Sequence, residues 1–255
     1  MLFDKIVYGP IHSRRLGTSL GVNLLPTHAK ICTFDCIYCE CGWNQPIHHP
    51  TLPTLAQVHD ELEKTLKELK EQCVELDVIT FSGNGEPTLH PDFLKIIQET
   101  CQLRSIYYPN AKVSVLSNAT QLTREDVIEA LRLCDNRILK LDSAIDTTML
   151  RIDQPLNKDL TVKRIVKSLQ VFKGDFTLQT CFLQGDINGV EIDNTTPHEL
   201  EAWFEVVRWL NPKQIMIYVI DRATPLQTIN KVPAEKMNAI AQRLRQEGFN
   251  VIVSI

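Results

Sequence analysis

The chain has 255 residues, 44% hydrophobic and 23% charged, the balance of a globular protein and not of a disordered, collagenous or coiled-coil one. Lys and Arg number 27 against 31 Asp and Glu, and the net charge of −4 excludes broad, unspecific nucleic-acid binding while leaving room for a local basic groove. No run approaches the roughly 18 apolar residues of a membrane span, and Met1-Leu2-Phe3-Asp4-Lys5 does not open a signal peptide, so a cytoplasmic chain with no membrane partner is expected.

There is no internal repeat or Gly/Ser linker, and one domain over 1–255 is the simplest organisation. After a polar N-terminal stretch, short apolar runs alternate with longer amphipathic ones, the order of six or seven βα units around a parallel sheet. A strand is expected over Gly21–Pro26. The first helix runs from Thr54 to Gln72: Thr54 and Gln57 make a capping box, and Leu55, Val58, Leu62, Leu66 and Leu69 recur at helical spacing. Strand Asp77–Ser82 follows, then helices over 91–103, 123–134, 159–173, 197–210 and 233–247, the last opened by Pro233 and closed by Gly248.

The strands between these helices split their faces. Leu139 and Leu141 oppose Lys140 and Asp142, because side chains alternate along a strand. Val113 and Val115 likewise oppose Ser114 and Asn118, Leu178 and Phe182 oppose Gln179 and Cys181, and Ile215, Ile217 and Val219 oppose Gln214 and Tyr218. A closed barrel fills its interior with branched apolar layers. These polar faces instead predict a widened or incomplete barrel whose inner wall binds something large and polar, approached from the C-terminal ends of the strands. An antiparallel sheet with one solvated face is the structural alternative.

Eight cysteines are present, and Cys32, Cys36 and Cys39 form a C-x-x-x-C-x-x-C run with Cys41 just beyond. Three thiolates on one loop can each ligate an iron of a 4Fe–4S cubane, leaving the fourth iron open to a substrate. A zinc site of Cys36, Cys39, Cys41 and His48 or His49 is the bland alternative. Cys73, Cys101 and Cys134 fall on apolar helix faces and read as core, whereas Cys181 points at the polar wall, there to fill space or to donate a hydrogen atom.

The run resembles that of the radical S-adenosylmethionine (SAM) enzymes, whose three-cysteine loop follows the first barrel strand. Gly83-Asn84-Gly85-Glu86-Pro87, at the end of the next strand, is similar to their G-G-E-P turn, with Asn84 in place of a glycine; asparagine tolerates left-handed backbone angles, so the turn survives the change. The resemblance implies a partial (β/α)6 TIM-like barrel with an N-terminal extension, a 4Fe–4S cluster on Cys32, Cys36 and Cys39, and SAM as the second cofactor. It further implies that Gly83, Gly85, Glu86 and Pro87 meet the SAM amino group, that Tyr38 lies against the adenine, and that Asn118, Lys140, Asp142 and Gln179 reach its ribose or carboxylate. Lys140 and Asp142 are also candidates for a catalytic proton relay.

Tyr8–Gly17 and Ile220-Asp221-Arg222-Ala223 resemble the branch that includes the wyosine-type tRNA-modifying synthases, although no cysteine precedes Cys32 to hold that branch's second cluster. The implied activity is reductive cleavage of SAM to a 5′-deoxyadenosyl radical that takes hydrogen from a tRNA nucleoside. A peptide or small metabolite is the alternative substrate, and a non-catalytic electron-transfer protein is the alternative function. A flavodoxin or ferredoxin would be the reductant. Arg14, Arg15, Asp221 and Arg222 are candidate substrate contacts, and Lys163-Arg164-Ile165-Val166-Lys167 reads as a solvated helix face.

Overall fold

A computed structural model describes residues 2–46 and 50–255. Two compact units are formed, one from 2–32 with 44–137 and the other from 33–43 with 138–255.

In the first unit a hairpin of β1 (Val7–Ser13) and β2 (Gly17–Val22) leads into helix α1 (Leu55–Glu71), β3 (Val78–Phe81), α2 (Phe93–Tyr107), β4 (Lys112–Ser117) and α3 (Glu125–Leu133). β1 is antiparallel to β2, and β2, β3 and β4 run parallel, with Ser19 opposite Val78 and Val78 opposite Lys112. The capping box of Thr54 and Gln57 starts α1, which buries Val58, Leu62, Leu66 and Leu69, each contributing roughly 1.5–3 kcal/mol. The strand expected over Gly21–Pro26 lies four residues earlier in the chain, at Gly17–Val22. Hairpin pairing of Ser13 with Gly17 sets its start, and the Asn23 side chain ends it by bonding the N–H and C=O of Leu25.

The polar faces of these strands satisfy one another. Ser19 Oγ lies 2.8 Å from Thr80 Oγ1, and Asn136 Nδ2 donates to Ser114 Oγ. Tyr8 covers Gly21, where a Cβ would stand 2.1 Å from its ring, and its hydroxyl is 2.9 Å from Ser82 Oγ.

Strand β5 (Asn136–Lys140) opens the second unit from Ile138, followed by α4 (Asp146–Ile152), α5 (Val162–Leu169), β6 (Thr177–Ile187), β7 (Val190–Asp193), α6 (Pro197–Leu210), β8 (Gln214–Val219), β9 (Ile229–Lys231), α7 (Ala234–Gln246) and β10 (Val251–Ser254). β5, β6, β8 and β10 are parallel, as the βα order predicts. The sequence did not foretell β7 and β9, which pair antiparallel with the extension of β6, nor the short α4. Helix α6 packs through Trp203, edge-on to Phe182, with its indole N–H donated to Thr180 Oγ1.

The N-terminal half of the cysteine loop is anchored within this second unit. Asp35 N–H donates to Asp153 O, Ile37 N–H to Ile152 O and Leu156 N–H to Thr33 O. Phe34 and Ile37 are buried, and Ile37 packs with Ile152, Cys181, Leu183, Ile192 and Ile229. Cys181 therefore fills space in an apolar cluster that Tyr38 and Tyr218 border. The β6 extension and its two antiparallel partners supply most of the apolar surface that holds this loop.

Candidate active site

Cys32 is fixed by residues of its own unit. Ile31, immediately before it, donates to Asn84 O and accepts from Glu86 N–H, which splices this segment onto the Gly83–Pro87 turn. Asn44 then clamps Cys32 through both backbone groups, accepting from its N–H and donating to its C=O, each at 3.2 Å. The Cys32 sulfur lies 3.5 Å from Asn118 Nδ2. Further along, Cys39 N–H donates to Cys36 O at 3.0 Å and Gly42 N–H to Cys39 O, forming a tight double turn through the second and third cysteines.

Cys32, Cys36, Cys39 and Cys41 are partly exposed. Three thiols on one braced loop fit the donor set of a cubane cluster. Among the described residues no three His, Cys, Asp or Glu side chains converge as ligands of a single metal ion would. A cubane demands less convergence, since each thiolate takes its own iron. His48 and His49, the remaining members of the zinc alternative, lie outside the described residues.

The Gly83–Pro87 turn is built on two glycines that nothing else could replace. Gly83 has φ +150° and a Cβ there would meet Asn23 Oδ1 at 2.5 Å; Gly85 has φ +133° and a Cβ would meet Ile31 O at 1.8 Å. Asn84 corrects the sequence reading, for it is not in the left-handed region. It is buried and knits the turn to the N-terminal segment: its Oδ1 accepts from Phe3 N–H, and its Nδ2 donates to Phe3 O and Pro26 O, each at 2.8 Å.

Glu86 accepts four hydrogen bonds, from Thr88 N–H, Thr88 Oγ1, Ser117 Oγ and Asn118 N–H. Burial raises its carboxyl above the usual range, and those donors pull in the opposite direction. Glu86 is thus the brace between the turn and the end of β4. Asn118 stands at that junction, its Oδ1 receiving Thr120 N–H and Oγ1 while its Nδ2 faces Cys32.

In the second unit Tyr38, Lys140 and Asp142 come together, joined by Asp153. The Tyr38 hydroxyl donates to Asp142 Oδ2 at 2.5 Å, Lys140 bonds both Tyr38 Oη and Asp142 Oδ2, and Lys140 Nζ lies 2.6 Å from Asp153 Oδ1. Lys140 also stands 4.6 Å from the centre of the Tyr38 ring. Burial alone would lower the Lys140 ammonium, but Asp142 and Asp153 hold it well above its ordinary value. Burial pushes Asp153 up to about 7 against the pull of Lys140. The Tyr38 phenol is raised by burial first and by Asp142 second. Asp142 is further fixed by Cys181 N–H on Oδ1 and by Asn194 Nδ2 on its carbonyl. Gln179, on β6 opposite Lys140, is 8% exposed with its Nε2 without a partner, a buried donor suited to an acceptor on a bound molecule.

Other candidates are placed elsewhere. Arg14 and Arg15 occupy the β1–β2 turn, at the N-terminal end of β2, whereas the Gly83–Pro87 turn follows the C-terminal end of its parallel neighbour β3. Six strand residues at about 3.3 Å each separate these two ends. Asp221 and Arg222 are exposed and paired with Lys231 and Glu40, so Arg222 ties the C-terminal segment to the outside of the cysteine loop. Asn44, Asp153 and Asn194 were missed by sequence reasoning. Only Asn44, close behind the cysteine run, carried a positional hint.

A model of the Radical SAM superfamily matches residues 27–183, more than half of the chain, and the chain belongs to that superfamily. It is 33% identical, over 92% of its length, to a Brachyspira hyodysenteriae protein named GTPase Obg, and spans only 33% of that protein. It is 32% identical, over 87% of its length, to a UPF0026 protein of Synechocystis sp., covering 77% of it. The solved structure of TYW1 with a lysine-pyruvate adduct bound superimposes with a TM-score of 0.63 at 17% identity, over 91% of this chain and 74% of that one. The likeness is one of fold, the partial (β/α)6 class that the motifs imply. Superfamily membership implies SAM and an iron–sulfur cluster as cofactors. No helix among the described residues is long and apolar enough to cross a membrane.

Proposed function

We propose that this chain is a radical SAM enzyme in which Cys32, Cys36 and Cys39 hold a 4Fe–4S cluster. With its fourth iron open to the amino and carboxylate groups of SAM, such a cluster supplies the electron that cleaves SAM to methionine and a 5′-deoxyadenosyl radical, which takes hydrogen from the substrate. The observation that carries the reading is the splice of Ile31 onto the Gly83–Pro87 turn, which ties the first cysteine to the segment proposed to meet the SAM amino group.

The protein's own residues orient and shield. Gly83 and Gly85 let the turn pack directly against Asn23 and Ile31, which fixes the backbone that would face SAM, and Glu86, held by four donors, keeps the turn rigid with its charge beside an ammonium. Tyr38 presents its ring to the adenine, positioned by its hydroxyl bonds to Lys140 and Asp142. Lys140, held protonated by two carboxylates, acts as a fixed positive charge near the SAM carboxylate or ribose and not as a base or nucleophile. Gln179 Nε2 donates to an acceptor on SAM or substrate.

The substrate assigned first is a tRNA nucleoside, with a flavodoxin or ferredoxin as reductant; a peptide or small metabolite stands second. Anaerobic reconstitution with iron and sulfide, then SAM and dithionite, gives 5′-deoxyadenosine from wild type and none from Cys36→Ala. Zinc without iron in the wild type overturns the reading. A tRNA substrate further predicts binding that weakens steeply with salt.

A further inference from the structure

Asn118 stands out because its amide can adopt only one orientation. Its Oδ1 accepts two hydrogen bonds from Thr120, the N–H at 3.1 Å and Oγ1 at 2.8 Å. Rotating the amide by half a turn would set Nδ2 against the Thr120 N–H, donor facing donor, and would aim Oδ1 at the Cys32 sulfur. The observed orientation therefore sends Nδ2 to Cys32 Sγ at 3.5 Å. The main chain of Asn118 is fixed as well, by its N–H bond to Glu86 Oε2 at 2.7 Å, and Asn118 is 6% exposed. At the other side of this contact Cys32 cannot drift, since Asn44 holds its N–H and its C=O.

We propose that Asn118 is a positioning residue that donates an N–H···S hydrogen bond to the Cys32 thiolate and thereby sets the reduction potential of the cluster. The inference rests on the proposed function, in which Cys32 is a ligand, and deepens it by giving Asn118 a role toward the cluster and not toward SAM. The physical reason is charge. Reduction adds one electron to the cluster and its thiolates, and a donor aimed at a ligand sulfur stabilises the reduced form more than the oxidised form, raising the potential. A partly exposed cysteine next to solvent makes a weaker donor, water, the alternative, whereas a side-chain amide locked by Thr120, on a main chain held by Glu86, costs no reorganisation when the electron arrives.

The test is an EPR-monitored redox titration of the reconstituted protein. Asn118→Asp keeps the shape and the acceptor for Thr120 but replaces the donor by a carboxylate; its reduction equilibrium falls at least tenfold, about 59 mV for one electron, toward more negative potential. Thr120→Val leaves the net charge and Asn118 intact but removes the hydroxyl that locks the amide, and shifts the potential in the same direction by less. Should Asn118→Asp fail to take up a cluster, Thr120→Val decides alone. A wild type showing a 4Fe–4S signal while both variants keep its potential overturns this inference and spares the proposed function. A wild type that forms no such cluster overturns both.

Discussion

The turn at Gly83–Pro87 and the charge cluster around Lys140 solve the same problem, holding buried polar groups in place, by opposite means. At the turn, one carboxylate receives four neutral donors and one asparagine meets three backbone groups, so each group is satisfied by hydrogen bonds alone. Around Lys140, two carboxyl groups of 1% and 2% exposure share a single ammonium, the only cation paired with them among the described residues, with Tyr38 and Cys181 N–H as further donors to Asp142. The first arrangement survives the loss of one member with a modest penalty; the second leaves two buried carboxyl groups facing each other without a cation.

That contrast is sharpest in Lys140→Met. It strands Asp142 and Asp153 without their cation and destabilises the apoprotein by about 3–5 kcal/mol in urea unfolding. A loss below about 1 kcal/mol would mean that water, not Lys140, carries those charges. Asn84→Gly restores the residue that the G-G-E-P resemblance has at this place, yet it deletes three side-chain hydrogen bonds and costs about 1–3 kcal/mol by the same measurement. If the glycine variant equals wild type, the N-terminal segment is not held through this side chain.

The pH dependence separates the two regions further. Asp153 is raised to about 7, so the folded chain keeps a proton that the unfolded chain, with its carboxyl near about 3.9, has released. Stability contributed by this group therefore falls as pH rises from about 4 to about 7 and is level above that. Asp153→Asn flattens that part of the curve of unfolding free energy against pH; an unaltered slope would remove Asp153 from the account. The smallest effect is expected from Arg222→Ala, whose ion pair with Glu40 is exposed on both sides and contributes about 0–1 kcal/mol. A larger loss would show that the C-terminal segment is needed to hold the cysteine loop.

How legible each region was follows from the distance over which it is specified. The turn was readable because its constraints are local: two glycines, a glutamate and a proline in sequence at the end of a strand. Even there the reason for Asn84 was misread, since its partners Phe3 and Pro26 come from a remote segment that no local rule connects to it. The bounds expected for the helix over 197–210 match α6, whose ends Thr196, Pro197 and Asn211 fix locally. The β6 extension with β7 and β9 was invisible because long-range antiparallel pairing leaves no periodic trace distinct from a loop. Lys140, Asp142 and Tyr38 were each identified, but as separate contacts to SAM. The bonds of Tyr38 to the other two span separations of 102 and 104 residues, and Asp153, the fourth member, lies at the end of a seven-residue helix with no motif around it.

The central claim is that three cysteines hold a four-iron cluster with one iron left for SAM. Mössbauer spectroscopy of protein reconstituted with iron-57, before and after SAM is added, tests it most directly. The account predicts a 4Fe–4S spectrum in which SAM changes the environment of a single iron site. Four sites indifferent to SAM, or iron bound without a cubane, would contradict it.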